Sequence, residues 1–152
     1  MRNQTFNSKR RTTNGNIQQK KHFTQMDNKE VETCANLLRN CLRNNRLNMS
    51  EHAQSKLKAP INFKALVGMI FKAPDLNYII EYNETTRYEN TSHRVLVRHP
   101  QVTKVDGFLS YTYIVIDVNN GRIITTYYNK VTDHHDTLNM SYYTQDLKIM
   151  EV

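Results

Sequence analysis

His52 and Lys56 stand four residues apart, so on a helix they share a face. Arg94 and Arg98 alternate with Val95 and Val97, so on a strand they project to one side with Leu96 between them. Glu81 falls in a neighbouring apolar run, and Thr126 and Tyr128 alternate on a later one. Metal-free cleavage of RNA needs a base for the 2′-hydroxyl, a cation for the phosphorane charge and an acid for the leaving 5′-oxygen. The chain offers candidates for each role. Proton transfer falls to His52 or to the pair His134 and His135, phosphate holding to Arg94 and Arg98, and orientation to Thr126. Each has a plainer reading. His52 can be an ordinary helix histidine, and Arg94 and Arg98 can pair with Glu81 and Glu84 across a sheet. Asp133-His134-His135-Asp136 can be a polar turn. Neighbours on an extended chain point opposite ways, and no HExxH or Cys-His spacing is present. No metal and no cofactor are expected.

A second set of candidates is electrostatic. The net charge is +7, and the stretch 1–25 holds Arg2, Lys9, Arg10, Arg11, Lys20 and Lys21 with no acid. The stretch 26–152 carries fifteen basic and fourteen acidic side chains, so it is nearly neutral. The basic stretch is also rich in Asn, Gln, Thr and Ser, with Phe6, Ile17 and Phe23 scattered and no apolar period. Such a segment buries too little to offset its ordering entropy, so it is expected to be a disordered basic arm. Arms of this kind meet polyanions, and nucleic acid is the commonest. Arg39, Arg43 and Lys56 extend the same basic surface.

The elements that must position these groups follow from periodicity. Helices are expected over 27–47, 51–58 and 63–72. Asp27 with Glu30 makes a capping box, and Val31, Cys34, Ala35, Leu38, Cys41 and Leu42 form one stripe. Ser50 and Asn62 cap the next two helices, and Pro60 and Pro74 stop them. Strands are expected at about 77–83, 93–99, 108–118 and 122–129. Asn120-Gly121 reads as a two-residue hairpin turn, setting Val118 against Ile123, Ile116 against Thr125, Ile114 against Tyr127 and Tyr113 against Tyr128. Helices before strands give an α+β class, with N-terminal helices packed on a four-stranded antiparallel meander. The chain then divides into the arm, 1–25, and one domain, 26–152. Cys34 and Cys41 lie about two helical turns apart, too far for a disulfide, and read as small buried hydrophobes of a reducing compartment. No run reaches the ~18 residues of a membrane helix, and the N-terminal stretch lacks a secretory core, so a cytoplasmic protein with no membrane partner is expected.

This order of elements resembles the barnase–EndoU–colicin–RelE superfamily of small ribonuclease toxins and their phage-borne relatives. Three stretches carry the likeness, over about residues 49–130. They are Ser50-Glu51-His52-Ala53-Gln54-Ser55-Lys56-Leu57, the pair Ile79-Ile80-Glu81-Tyr82 and Arg94-Val95-Leu96-Val97-Arg98, and Asn120-Gly121-Arg122-Ile123-Ile124-Thr125-Thr126-Tyr127-Tyr128. The helix at 27–47 is additional to the pattern. The resemblance implies RNA as partner and, for an enzyme, metal-independent endoribonuclease activity.

The first of the nine tyrosines is Tyr78, and Tyr111, Tyr113, Tyr127 and Tyr128 crowd the central hairpin. Tyrosines on a strand suit base stacking, an interface or plain sheet packing. The expected function is binding of RNA or a ribonucleoprotein, with the Asn-rich composition pointing to a phage or mobile-element gene. The alternative is a non-catalytic inhibitor or accessory subunit that docks on a protein machine.

Overall fold

The computed structural model describes residues 11–13, 16–133 and 139–152. Its strands are β1 (Arg11–Thr13), β2 (Asn16–His22), β3 (Asn48–Met49), β4 (Ile79–Arg87), β5 (Asn90–Val105), β6 (Phe108–Asp117) and β7 (Arg122–Lys130). Its helices are α1 (Asn28–Asn44), α2 (Glu51–Ser55) and α3 (Phe63–Lys72). The strands form one sheet in the order β1-β2-β4-β5-β6-β7-β3, with β3 parallel to β7 and every other pair antiparallel. No helix among the described residues is long and apolar enough to cross a membrane.

This corrects the expected four-stranded meander behind N-terminal helices; of the arm expected over 1–25, residues 16–22 form a strand, and residues 1–10 and 14–15 lie outside the described residues. The sheet is larger and mixed, and it begins before the first helix. β2 pairs with β4 along its whole length, from Asn16 opposite Arg87 to His22 opposite Glu81. The absence of an apolar period misled because β2 buries polar groups with partners. Lys21 is buried, ion-paired with Glu30 of α1 and bonded to the Leu147 carbonyl at 3.3 Å. His22 is buried too. Its Nδ1 accepts from the Thr24 amide at 3.3 Å, and its own amide donates to Gln25 Oε1 at 3.1 Å.

The helices are set by their caps. Asp27 accepts the Glu30 amide at 2.8 Å, and Glu30 returns the bond to the Asp27 amide at 3.1 Å. Asn62 accepts the Ala65 amide at 3.0 Å. Ser50 does two jobs, since its Oγ accepts from the Ala53 amide at 3.0 Å and donates to the Ile124 carbonyl at 2.9 Å. All three helices cover one face of the sheet. There Cys34, Leu38, Cys41, Leu66 and Ile70 meet Ile79, Tyr82, Val95, Val97, Ile114, Ile116 and Ile123. Each such aliphatic side chain contributes about 1.5–3 kcal/mol by burial. Both cysteines are free, and burial pushes the Cys34 thiol up to about 12, so it stays an unreactive thiol at neutral pH.

The hairpin register also differs from expectation. Asp117 faces Arg122, and Ile116, not Val118, faces Ile123. A bulge at Ile124 then sets Val115 against Thr125 and Tyr113 against Tyr127. Asp117 causes this by closing a longer loop. Its carbonyl takes the Gly121 amide at 2.8 Å, and its carboxylate takes the Asn119 amide at 2.8 Å. Gly121 sits at φ 78°, and a Cβ there would meet the Arg46 carbonyl oxygen at 2.9 Å, so no other residue fits. The shift sends Thr126 and Tyr128 to the helix side and Tyr127 to the opposite side.

The pair between Lys21 and Glu30 couples β2 to α1 away from bulk water. Lys21→Met keeps the packed stem and strands the carboxylate. The variant should lose about 1–3 kcal/mol of stability, read by urea denaturation, with little change in the loss at high salt. A variant as stable as wild type would mean that β2 is not anchored by this pair.

Candidate functional site

Strand alternation builds the helix-free face. Val95 and Val97 of β5 enter the core, so Arg94, Leu96 and Arg98 project the other way. Asp117 and Asn83 flank Arg94, Val115 and Glu81 flank Leu96, and Tyr113 lies opposite Arg98. Ile80, Leu96 and Tyr113 form the small apolar floor of this face, edged by Tyr111 and Val115. The Arg98 guanidinium sits 4.7 Å from the centre of the Tyr111 ring and is hydrogen-bonded to Tyr113. Tyr113 and Tyr127 stack at 5.2 Å and 8°. Arg94 is half-buried near Asp117, and its Nε has no hydrogen-bond partner among the described residues. Burial lowers the Arg94 pKa, and Asp117 opposes that shift.

Glu81 is a carboxylate on this face whose surroundings alter its acid–base character. The bulge between Ile79 and Glu81 turns its side chain to the helix-free side, opposite Leu96. Burial pushes its carboxyl pKa up, against the opposing effects of Lys20 and a hydrogen bond from Tyr143. Tyr143 comes from the chain after β7, which docks on β2 by the Thr144 amide bonding to the Lys20 carbonyl at 2.7 Å. Lys20 Nζ lies 4.5 Å over the Tyr143 ring, and His22 meets the same ring edge-on at 5.7 Å. Burial raises the Tyr143 and Tyr127 phenols, and the Glu81 carboxylate adds to both shifts. Both phenols therefore stay protonated donors at neutral pH. A carboxyl biased toward protonation, cations on the neighbouring strands and phenol donors together make a surface able to hold a phosphodiester and move a proton beside it.

The residues proposed from sequence divide across the sheet. Arg94, Arg98 and Lys20 share the helix-free face. Thr126 does not: it is 1% exposed, and its Oγ1 donates to the Ala53 carbonyl at 2.8 Å, pinning α2 to β7. It cannot orient a phosphate held by Arg94 and Arg98. His52 and Lys56 are exposed on and just after α2, on the helix side, so the expected cluster of His52, Thr126 and the two arginines is not formed. Lys21 is buried against Glu30 and offers no charge to a ligand. Arg39 spends its Nε on the Ile70 carbonyl at 3.0 Å, tying α1 to α3. Arg43 is exposed, 5.6 Å from the Phe71 ring centre. Arg11 lies in β1. His134, His135, Arg2, Lys9 and Arg10 fall outside the described residues. Among the described residues no three His, Cys, Asp or Glu side chains gather to hold a metal.

Sequence reasoning gave Glu81 no role at the site beyond pairing with the arginines, passed over Tyr143, and set Tyr113 against Tyr128 where the structure sets it against Tyr127. The signal was a lone carboxylate inside the run Tyr78-Ile79-Ile80-Glu81-Tyr82. A charge in such a run needs buried partners.

The shift at Glu81 has a thermodynamic consequence. With its folded pKa raised above the ordinary 4.5, the folded chain keeps a proton that the unfolded chain has released. That stabilisation is complete below the unfolded value and is lost as pH rises through the folded one. Glu81→Gln removes the loss, so the melting temperature of the variant minus that of wild type should increase from about pH 4 to about pH 8. A difference that stays flat or shrinks would show that the carboxyl is not held in this environment. Comparison with known proteins finds no matching family model, no matching curated protein and no matching solved structure.

Proposed function

We propose that the chain is an RNA-binding protein that lays a single strand across its helix-free sheet face and cleaves it there without a metal. The observation that carries this reading is Glu81: a carboxyl raised by burial, one strand from Arg94 and Arg98 on the same face. Arg98 on Tyr111 and the exposed ring of Tyr127, stacked on buried Tyr113, supply cationic and π surfaces, the two things a flexible nucleic acid needs from a sheet. In this reading Glu81 takes the proton of the 2′-hydroxyl as that oxygen attacks phosphorus, Arg98 and Arg94 hold the phosphate charge, and Tyr127 donates to a non-bridging oxygen. Tyr143 gives its proton to the 5′-oxygen as the bond from that oxygen to phosphorus breaks, recovering it afterwards from Glu81. Tyr143 hydrogen-bonds Glu81 in the free protein, so the base is released when that bond is exchanged for one to the phosphate. The likeness of residues 49–130 to small ribonuclease toxins agrees with this activity, although the element order that first suggested it does not hold.

One feature favours docking on a protein instead. Val102, Phe108 and Leu109 are exposed where β5 turns into β6, beside Lys104 and Lys130. An accessory subunit would bind through such a tip.

Incubation with single-stranded RNA in EDTA separates these. Wild type should cleave. Glu81→Gln should bind equally and cleave at least about 100-fold more slowly, the contribution of a placed base. Arg98→Ala should lose both binding and cleavage, and His52→Ala neither. Binding without cleavage would remove the catalytic part of the reading. No binding to RNA, with salt-resistant capture of a protein that Leu109→Asp abolishes, would support the accessory subunit.

A further inference from the structure

A cavity of about 670 Å³ runs from the Arg98 end of the helix-free face round the end of the sheet to the first turns of α1, where Val31 and Glu32 line it. That volume lies in the range of sites for small ligands. Tyr111 and Tyr113 form one wall, Ile80 contributes to the apolar floor, and Phe23, 40% exposed, adds a further aromatic surface. Its charged groups are Arg98, Glu32 of α1 and Asp133 just after β7. With one cation against two carboxylates, the body of the cavity disfavours a phosphate, which Arg98 can hold only beside it. What suits aromatic walls and carboxylate acceptors is an uncharged ring that presents N–H donors.

We propose that this cavity is a subsite for one unstacked nucleobase carrying an exocyclic amine, with its 5′- or 3′-phosphate at Arg98. The proposal rests on the RNA reading above and names the base that reading would select. Carboxylates accept from an amine and from a ring N–H but repel carbonyl oxygens. Guanine offers two adjacent donors on one edge, and adenine and cytosine offer the amine alone. Uracil sets a single N–H between two carbonyls and is disfavoured. Tyr111 serves both sides: its ring carries the Arg98 guanidinium 4.7 Å away and lines the cavity. The phosphate and ring positions are therefore adjacent, as a nucleotide requires.

The probes are a uridine octamer and three octamers with one central guanosine, adenosine or cytidine, measured by fluorescence anisotropy in EDTA with Glu81→Gln to prevent turnover. One guanosine should tighten binding by at least about ten-fold over the all-uridine strand, the discrimination of one good two-point contact. Adding Glu32→Gln should reduce that preference to within about two-fold, by weakening the guanosine octamer and, as the repulsion of uracil carbonyls is lifted, slightly strengthening the all-uridine one. Glu32 is exposed on α1, so the change does not threaten folding. Equal binding of all four octamers, or a guanosine preference that survives Glu32→Gln, overturns the subsite and leaves RNA binding standing. Failure to bind any octamer overturns both.

Discussion

The ion pair between Lys21 and Glu30, with the strand pairing it secures, is the constraint on which the rest of the molecule depends. β2 has almost no apolar side chain to bury. It is held by hydrogen bonds to β4 on one side and, on the helix side, by a lysine whose charge is met by α1 and by the Leu147 carbonyl. A lysine stem packs like a hydrocarbon once its ammonium is satisfied. The same strand then offers its outer edge to the chain after β7, through the bond from Thr144 to Lys20. That segment passes Tyr143 to the helix-free face and Leu147 to the core. β2 and the segment after β7 are thus fastened to each other and to the sheet.

The proposed function follows from which side of the sheet each group faces. Two irregularities decide this. The bulge in β4 turns Glu81 outward beside Arg94 and Arg98, and the bulge in β7 turns Tyr127 outward and Thr126 inward. Without the first, the carboxyl would enter the apolar core packed by the helices. Without the second, the Tyr113–Tyr127 stack would be lost. β2 completes the site by carrying Lys20 and His22 around Tyr143. The surface is assembled from β2, β4, β5, β6, β7 and the last segment, elements that the proposed activity needs to hold Glu81 at a fixed distance from a phosphate.

Much of the local structure was legible in the residues. The capping box at Asp27 and Glu30, the caps at Ser50 and Asn62, and the alternation of Arg94 and Arg98 with Val95 and Val97 are short-range patterns, and short-range physics determines them. What was not legible depended on distant partners. Lys21 and His22 look like part of a solvated tail until α1 and the last segment are placed around them. The hairpin register hinged on Asp117, whose competing bonds to Asn119 and Gly121 a pairing rule for Asn-Gly does not contain. Thr126 looked like a phosphate ligand because the bulge at Ile124, which reverses its side, leaves no mark in residue alternation. Glu81 was visible in the sequence, but its environment depends on Tyr143, which arrives only after the whole sheet has been laid down.

Asn16–His22 form a working strand of the sheet, and that strand shapes the site at Glu81. Native-state hydrogen exchange on the peptide covering residues 16–22 tests this most directly. Protection there should approach that of β5 and fall sharply in Lys21→Met. Exchange at the rate of an unstructured chain in wild type would mean that the segment is a free arm, and the site built around it would not exist.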